Sequence, residues 1–543
     1  MTDPVTLQII RNRISTLMDE MDYSIFRSGY STIVRESHDF SVIITDHEGR
    51  LLIAPRMFLH SFTYYHFVQT LLDVYGADSM KPGDLFVSNH PYQGGVTHVP
   101  DMATLAPIFH GGQMIGFSGA MAHKADFGGT VPGSTYGKAV SMFQEGTMLP
   151  PVRLYRSAEL DRDIERIIEA NTRQPELVLG DLRTQVGATQ QAVQRMQRMC
   201  DQFGQETVVE AMQKILGASA TEFGEVIRAL PEGVRKVEGF LDSDGVTVDE
   251  PIRLCVTVTV RDGTIEFDFN GSAPQRQGPI NLRRPQIEAC CFYAIIAALD
   301  PTLKYGHGAH EVVRIKLPDN SVVNASPPAP TSSYMPTCQR LVDLILEALG
   351  SFKPDRAIAH SGGTGGSLTI AWKGGGWENR GHQYEIFGSA YGASAKGGGA
   401  SGLTVHLSTT LCAPIEILET EYPVRITRFE LVRDSGGAGK FRGGDCFRRE
   451  YHLLQPATVI YRADRSKFPA RGIAGGSDGL PSRFVVNPGG PKEVVMPASS
   501  MVDLQPGESF CIQPAAGGGY GTPAEHAKST TNTTKGTKNT KRA

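Results

Sequence analysis

Cysteine is sparse in this chain and never closely paired. Its eight thiols (Cys200, Cys255, Cys290, Cys291, Cys338, Cys412, Cys446 and Cys511) include no C-x-x-C spacing. A chain of 543 residues can bury a core without disulfide staples, so reduced thiols are expected. Long apolar runs are also missing. The longest, Ala289 to Leu299, falls far short of the ~20 residues that span a bilayer. The opening stretch, Met1 to Leu7, lacks the basic-then-apolar pattern of a signal peptide. A cytoplasmic protein with no membrane partner is the expectation. The net charge of −4 lacks the basic excess of a nucleic-acid binder, so no nucleic-acid partner is expected either. No repeat period is visible, which argues against solenoids and propellers. No G-x-x-x-x-G-K-[ST] run occurs, so the chain carries no P-loop signature.

What is present is a large globular composition. With 40% hydrophobic residues the chain can form a sizeable core, and its length suggests about three to four domains. The 60 glycines sit in short clusters, which read as tight turns and close backbone approaches. Asp3 is a good N-cap, Pro4 suits a first helical turn, and Ile10, Ile14, Leu17, Met21 and Ile25 mark one buried helix face. Short apolar stretches follow at Phe40–Ile44, Leu51–Ile53, Leu85–Val87 and Met114–Phe117, reading as strands. Helical patterning returns over residues 157–230. The period then becomes two through Ile252, Leu254, Val256, Val258 and Val260. Asp262-Gly263 marks a hairpin turn, with Ile265, Phe267 and Phe269 on the return strand. Helices are predicted around Pro285–Leu299 and Thr337–Leu349. The fold class is α+β and multidomain. The predicted division is a mixed α/β domain at 1–232, an α+β domain opening with a hairpin at 233–420, a β-rich domain at 421–522 and a disordered polar tail at 523–543.

Histidine carries the strongest chemical signal. His38, His47, His60, His66, His90, His98, His110 and His123 crowd the first part of the chain. His98 and His123 each precede an Asp by three residues, Asp101 and Asp126. Imidazole and carboxylate are the ligands of a Zn²⁺ or Mn²⁺ site with an open position. The competing reading is two unrelated loops with surface or capping residues. The glycine clusters at His360–Ser367 and Ala395–Gly402 read as turns rather than phosphate cradles. Gly475–Gly479 matches G-x-S-x-G formally, but Leu480-Pro481 follows where a nucleophile elbow needs a helix. His307, His310 and Glu311 read as a solvated loop, with a second metal or acid–base site as the alternative.

Together these segments resemble the hydantoinase B/oxoprolinase family, the B-type subunit of ATP-dependent hydantoinases, 5-oxoprolinases and related ketone carboxylases. The resemblance is carried by Asp3–Arg13, Arg35–Ser41, Pro82–Asp84, Asn89–Gly95, Thr97–Asp101 and Ala122–Gly129. It continues through Gln144–Gly146, Gly180–Arg183, Phe267–Ser272 and Asp434–Gly444. It implies a divalent-metal site held by Asp39, His98, Asp101 and His123. It also implies ATP chemistry in a separate A-type subunit, which would phosphorylate a small cyclic amide. The metal would activate water toward neutral pH for attack on that activated carbon, with Asp126 or His60 as proton carrier. A stable hetero-oligomer follows as an expectation. A ketone carboxylase subunit and a non-catalytic scaffold remain as alternatives. The chain departs from the family pattern at His90, at Lys124 and at Leu303–Gly308.

Overall fold

The computed structural model describes residues 3–363, 366–373 and 381–523. Its architecture is α+β, with several sheets. Helix α1 (Pro4–Ser28) begins where Asp3 accepts the amides of Val5 at 3.0 Å and Thr6 at 3.1 Å. Those bonds satisfy first-turn donors that have no partner within the helix. Its buried face is Ile10, Ile14, Leu17, Met18, Met21 and Ile25, as the periodicity predicts.

A six-stranded sheet follows. It consists of β1 (Phe40–Asp46), β2 (Leu85–Ser88), β3 (Asp101–His110), β4 (Gln113–His123), β5 (Val152–Arg156) and β6 (Glu159–Leu160). Their order is β1-β4-β3-β2-β5-β6, with every pair antiparallel. The stretch around Leu51 is not a strand and makes only an isolated bridge to Thr45. The left-handed backbone at Gly49, φ 80°, turns the chain there. The predicted helical region, 157–230, begins with β6 and the short helix Arg162–Ala170, and the long helices Pro175–Phe203 and Gln205–Arg228 that occupy the rest share a core with α1 and β1.

The predicted hairpin forms from β8 (Ile252–Arg261) and β9 (Thr264–Asp268). They lie in a four-stranded sheet with β7 (Gly233–Leu241) and β10 (Val313–Lys316), in the order β10-β9-β8-β7. Asp262 and Gly263 have φ of 51° and 69°, the left-handed pair that a two-residue hairpin turn requires. Helices Arg284–Ala298 and Met335–Phe352 lie in the same core as this sheet. That core draws on residues from Ile43 to Leu407, on both sides of residue 232.

A second four-stranded sheet has β11 (Ser367–Trp372) between β12 (His382–Ile386) and the strand Ala457–Arg462, which pairs in turn with Ser499–Leu504. A five-stranded sheet is built from residues 424–513. The tail expected from residue 523 lies, beyond Pro523, outside the described residues. Among the described residues no helix is long and apolar enough to cross a membrane. Seven of the cysteines are buried, and Cys412 is exposed.

The glycine excess is used in close backbone packing. A Cβ on Gly399 would run into the Tyr391 carbonyl oxygen and would meet the Gly444 amide at 2.6 Å. Neither neighbour is a flexible side chain that could swing aside. Gly399→Ala is therefore expected to destabilise its region by about 1–3 kcal/mol, as overpacking does. A lowered first transition in a thermal melt is the readout, and an unchanged transition would show that the backbone yields.

Candidate metal centre

The order β1-β4-β3 sets three side chains next to one another at one sheet edge. Asp101 opens β3 and His123 ends β4, and the two are direct cross-strand partners. Asp39 immediately precedes β1, and its carbonyl accepts the His123 amide at 3.1 Å. His98 comes from the loop before β3, where the Asp101 amide bonds the His98 carbonyl at 3.0 Å. The H-x-x-D spacing thus acts through a turn, which brings the first residue back over the third.

His98 Nε2 lies 3.2 Å from His123 Nδ1 and 3.4 Å from Asp101 Oδ1. His123 Nδ1 is 3.5 Å from the same oxygen and 3.8 Å from Asp39 Oδ2. Donor atoms about 2.1 Å from a tetrahedral ion stand roughly 3.4 Å apart, so these spacings suit a small divalent cation. Among the described residues, His98, Asp101 and His123 are the one group of three or more whose donor atoms all fall within 4.8 Å. Their exposures are 4%, 1% and 1%, so the donors are withdrawn from bulk water. His98 Nδ1 faces the Ser332 carbonyl at 3.3 Å. A carbonyl can only accept, so that contact puts a proton on Nδ1 and turns Nε2, the ring's other nitrogen, toward the remaining donors. The Thr97 hydroxyl donates to Asp101 Oδ2 and steadies the shared carboxylate.

Burial opposes ionisation of Asp101, but His98, His123 and His60 outweigh it and hold its carboxyl below the usual range. Burial and the neighbouring Asp101 charge push Asp39 well above that range. Burial brings His123 down to about 4, so its ring is neutral at pH 7. The donor set is therefore two imidazoles, one carboxylate and a second carboxyl beside them. That mixture fits Zn²⁺ or Mn²⁺.

A cavity of about 50 Å³ adjoins these donors and is lined by Asp39, His60, His98, His123, Tyr334, Tyr384 and Arg462 among others. Tyr384 stacks on His123 at 4.7 Å, and Tyr334 meets His98 edge-on at 5.0 Å. His60 reaches Ser41 Oγ at 3.1 Å through Nδ1, and its Nε2 is 3.9 Å from Asp101 Oδ2. Burial brings His60 down to about 4.

Asp126 is placed elsewhere. Its oxygens accept the amides of Gly128, Gly133 and Arg173, each at 2.9 Å, and the Arg173 guanidinium at 2.9 Å. It is fully buried, ties the 126–133 loop to Arg173, and does not line the cavity. His90 Nδ1 accepts the amides of Tyr92 at 3.1 Å and Gln93 at 3.2 Å, and Lys124 donates to the Gln185 side chain. Neither departure from the family pattern lines the cavity. His307 stacks on His310 at 4.4 Å, His310 bonds the Tyr305 hydroxyl at 2.9 Å, and Glu311 is exposed. Nothing in the sequence marks Tyr334, Tyr384 and Arg462, because only tertiary packing brings them here. Glu145 belongs to the Gln144–Gly146 motif. Its carboxylate accepts the Thr331 and Ser332 amides, at 2.8 Å and 2.6 Å, and is pushed up to about 7 by burial.

The model of the hydantoinase B/oxoprolinase family matches residues 3–523. The chain belongs to the hydantoinase B/oxoprolinase family. It is 29% identical over 542 residues to the B-type subunit of a putative D-/L-hydantoinase from Pseudomonas sp. strain NS671, covering 96% of this chain and 90% of that protein. The crystal structure of the ATP-dependent caprolactamase from Pseudomonas jessenii shares the fold, with a TM-score of 0.89 at 24% identity over 96% of this chain and 92% of that one. A nucleotide-free acetone carboxylase structure gives 0.86 at 17% identity, covering 96% and 76%. Within this hydantoinase B fold, the ordered motifs that carry the resemblance include all four residues at the sheet edge.

Proposed function

We propose that this chain is the metal-bearing subunit of an ATP-dependent cyclic-amide hydrolase of the hydantoinase/5-oxoprolinase type, acting in the cytoplasm. The observation that carries the reading is the meeting of His98 Nε2, His123 Nδ1 and Asp101 Oδ1 beside a cavity of about 50 Å³, with Asp39 next to them. His98, Asp101 and His123 would hold Zn²⁺ or Mn²⁺, with Asp39 as fourth donor. A divalent cation bound there supplies Lewis-acid polarisation and activation of water near neutral pH.

The chain's own side chains do the rest. Met57, Leu59, Tyr334 and Tyr384 line the cavity and exclude bulk water from the reacting carbon. His60, on the same wall, is the proposed proton carrier, resting on its position against Asp101. Asp126 would hold its loop in shape through Arg173 instead of exchanging protons. An amide carbonyl is a poor electrophile, so the substrate would arrive activated by phosphorylation in an A-type, ATP-binding partner. Relatives named as the B-type subunit of a hydantoinase and the beta subunit of a caprolactamase support a partner of this kind. Because such an intermediate is labile in water, a stable hetero-oligomer should bury more than about 2,000 Å².

Co-expression with the A-type partner, followed by size-exclusion chromatography and assay, tests this reading. Co-elution and ATP-dependent ring opening without bicarbonate are expected, and the chain alone should show no turnover. Turnover of a ketone that requires bicarbonate would favour the carboxylase, whose fold this chain shares. No turnover and no bound metal would favour a scaffold.

A further inference from the structure

A second, larger cavity adjoins the cavity beside the metal centre. It encloses about 190 Å³ beside Asp242–Gly245 and Asp464. Ser333, Pro336 and Arg462 belong to its wall and also to the wall of the 50 Å³ cavity at the metal centre. Arg462 therefore stands at the junction. It ends the strand Ala457–Arg462 and is only 6% exposed.

The guanidinium donates to the Ser332 carbonyl at 2.8 Å, to Ser333 Oγ at 3.1 Å and to Ser367 Oγ at 2.6 Å. All three acceptors are neutral oxygens. Among the described residues, no carboxylate lies within ion-pair distance of it. Other buried arginines are matched differently: Arg449 has Glu385 at 3.1 Å, and Arg465 has Asp343 at 2.7 Å. Arg283 also lacks a carboxylate, but it faces the Tyr92 ring and lines neither cavity. Glu145, whose charge Arg462 feels, spends an oxygen on the Thr331 and Ser332 amides. Gly137 lies against the arginine stem, where an added Cβ would come within 3.2 Å of Cγ and Cδ, so the absence of a side chain there makes room for the arginine.

Burying a cation is costly unless an anion faces it. A guanidinium offers five donors in a planar fork that matches two oxygens of a phosphate or carboxylate. This one is held by three neutral oxygens, has no carboxylate in ion-pair contact among the described residues, and lines both cavities.

We propose that Arg462 anchors an anionic group of the substrate, a phosphate or a carboxylate, at the junction, holding the reacting carbon toward the metal centre. The proposal rests on the hydrolase reading above and narrows it to substrates that are anionic when they reach this subunit. The phosphate would be the one placed on the amide oxygen during activation. The carboxylate would be one borne by the ring itself.

Calorimetric titration of the full chain with inorganic phosphate and, separately, with acetate at fixed ionic strength tests the anchor. The same titrations are made on Arg462→Gln and Arg462→Lys, with metal content measured on each sample. Binding to the wild type should weaken about 10- to 100-fold in Arg462→Gln, as expected for losing charge-assisted hydrogen bonds. Arg462→Lys should fall between, and metal content should be unchanged. Tighter binding of phosphate assigns the anchor to the activated oxygen, and tighter binding of acetate assigns it to a ring carboxylate. Equal affinity in wild type and Arg462→Gln, or no binding to the wild type, would overturn the proposal. Absence of metal with the anion response intact would strike the hydrolase reading and leave the anchor standing. Should Arg462→Gln fail to fold, wild-type crystals grown with phosphate decide. An anion bonded to the guanidinium supports the proposal, and a junction without one overturns it.

Discussion

Replacing His98 with Ala is expected to abolish turnover in the assembled enzyme while leaving the fold in place. His98 supplies one of the two imidazole nitrogens that meet at the centre, 3.2 Å from the other. On the proposed function, losing it would open the donor set and remove several kcal/mol of the charge stabilisation that a bound divalent cation would supply. That corresponds to a loss on the order of 10³-fold or more. The fold should tolerate the change, because His98 sits in the loop before β3 and its ring contacts Tyr334 and His123 more than the sheet core. The measurement is turnover with the A-type partner, paired with a melting curve. A variant that keeps most of its activity would remove His98 from the machinery. A collapsed melting curve would show that the residue is structural.

The second large effect is on stability. Asp343 is buried in the helix Met335–Phe352 and accepts the Ser361 amide at 2.9 Å, His406 Nε2 at 2.9 Å and Arg465 Nη2 at 2.7 Å. One carboxylate thus ties three distant loops to a single helix. Burial opposes its charge, yet Arg465 and then His406 outweigh burial and hold the carboxyl below the usual range. Asp343→Ala leaves a buried guanidinium and imidazole without their acceptor, at a cost of about 3–5 kcal/mol. The sign of the pH dependence follows from the depressed value. The stabilisation is fully present above the ordinary aspartate pKa of about 3.9 and is lost as pH falls through the folded-state value. At pH 7, Asp343→Ala should melt well below the wild type, and the gap should close in acid. A variant melting with the wild type at pH 7 would contradict this.

Local features of the sequence carry local structure well. The Asp3 cap and the spacing of Ile10, Ile14 and Leu17 define α1, because capping and periodicity act within one or two turns. Asp262-Gly263 defines the β8–β9 hairpin, because few residue pairs adopt two left-handed conformations in succession. At the site, the two H-x-x-D pairs are equally visible, yet their fates differ. Asp101 begins a strand and turns toward His98, whereas Asp126 lies in a loop that saturates it with three amides and an arginine. Sequence spacing alone does not hold that distinction. It depends on where β4 ends and on Arg173, 47 residues away. The cavity wall is still less legible. Tyr334, Tyr384 and Arg462 come from a helix start, the strand β12 and a strand end, joined only by tertiary packing.

The central claim is that the His98, Asp101 and His123 side chains, with Asp39 beside them, hold one divalent cation. Elemental analysis of the purified full-length chain beside its His98→Ala variant tests it most directly. The account predicts about one Zn²⁺ or Mn²⁺ per wild-type chain and next to none in the folded variant. Equal metal content in the two proteins would contradict it.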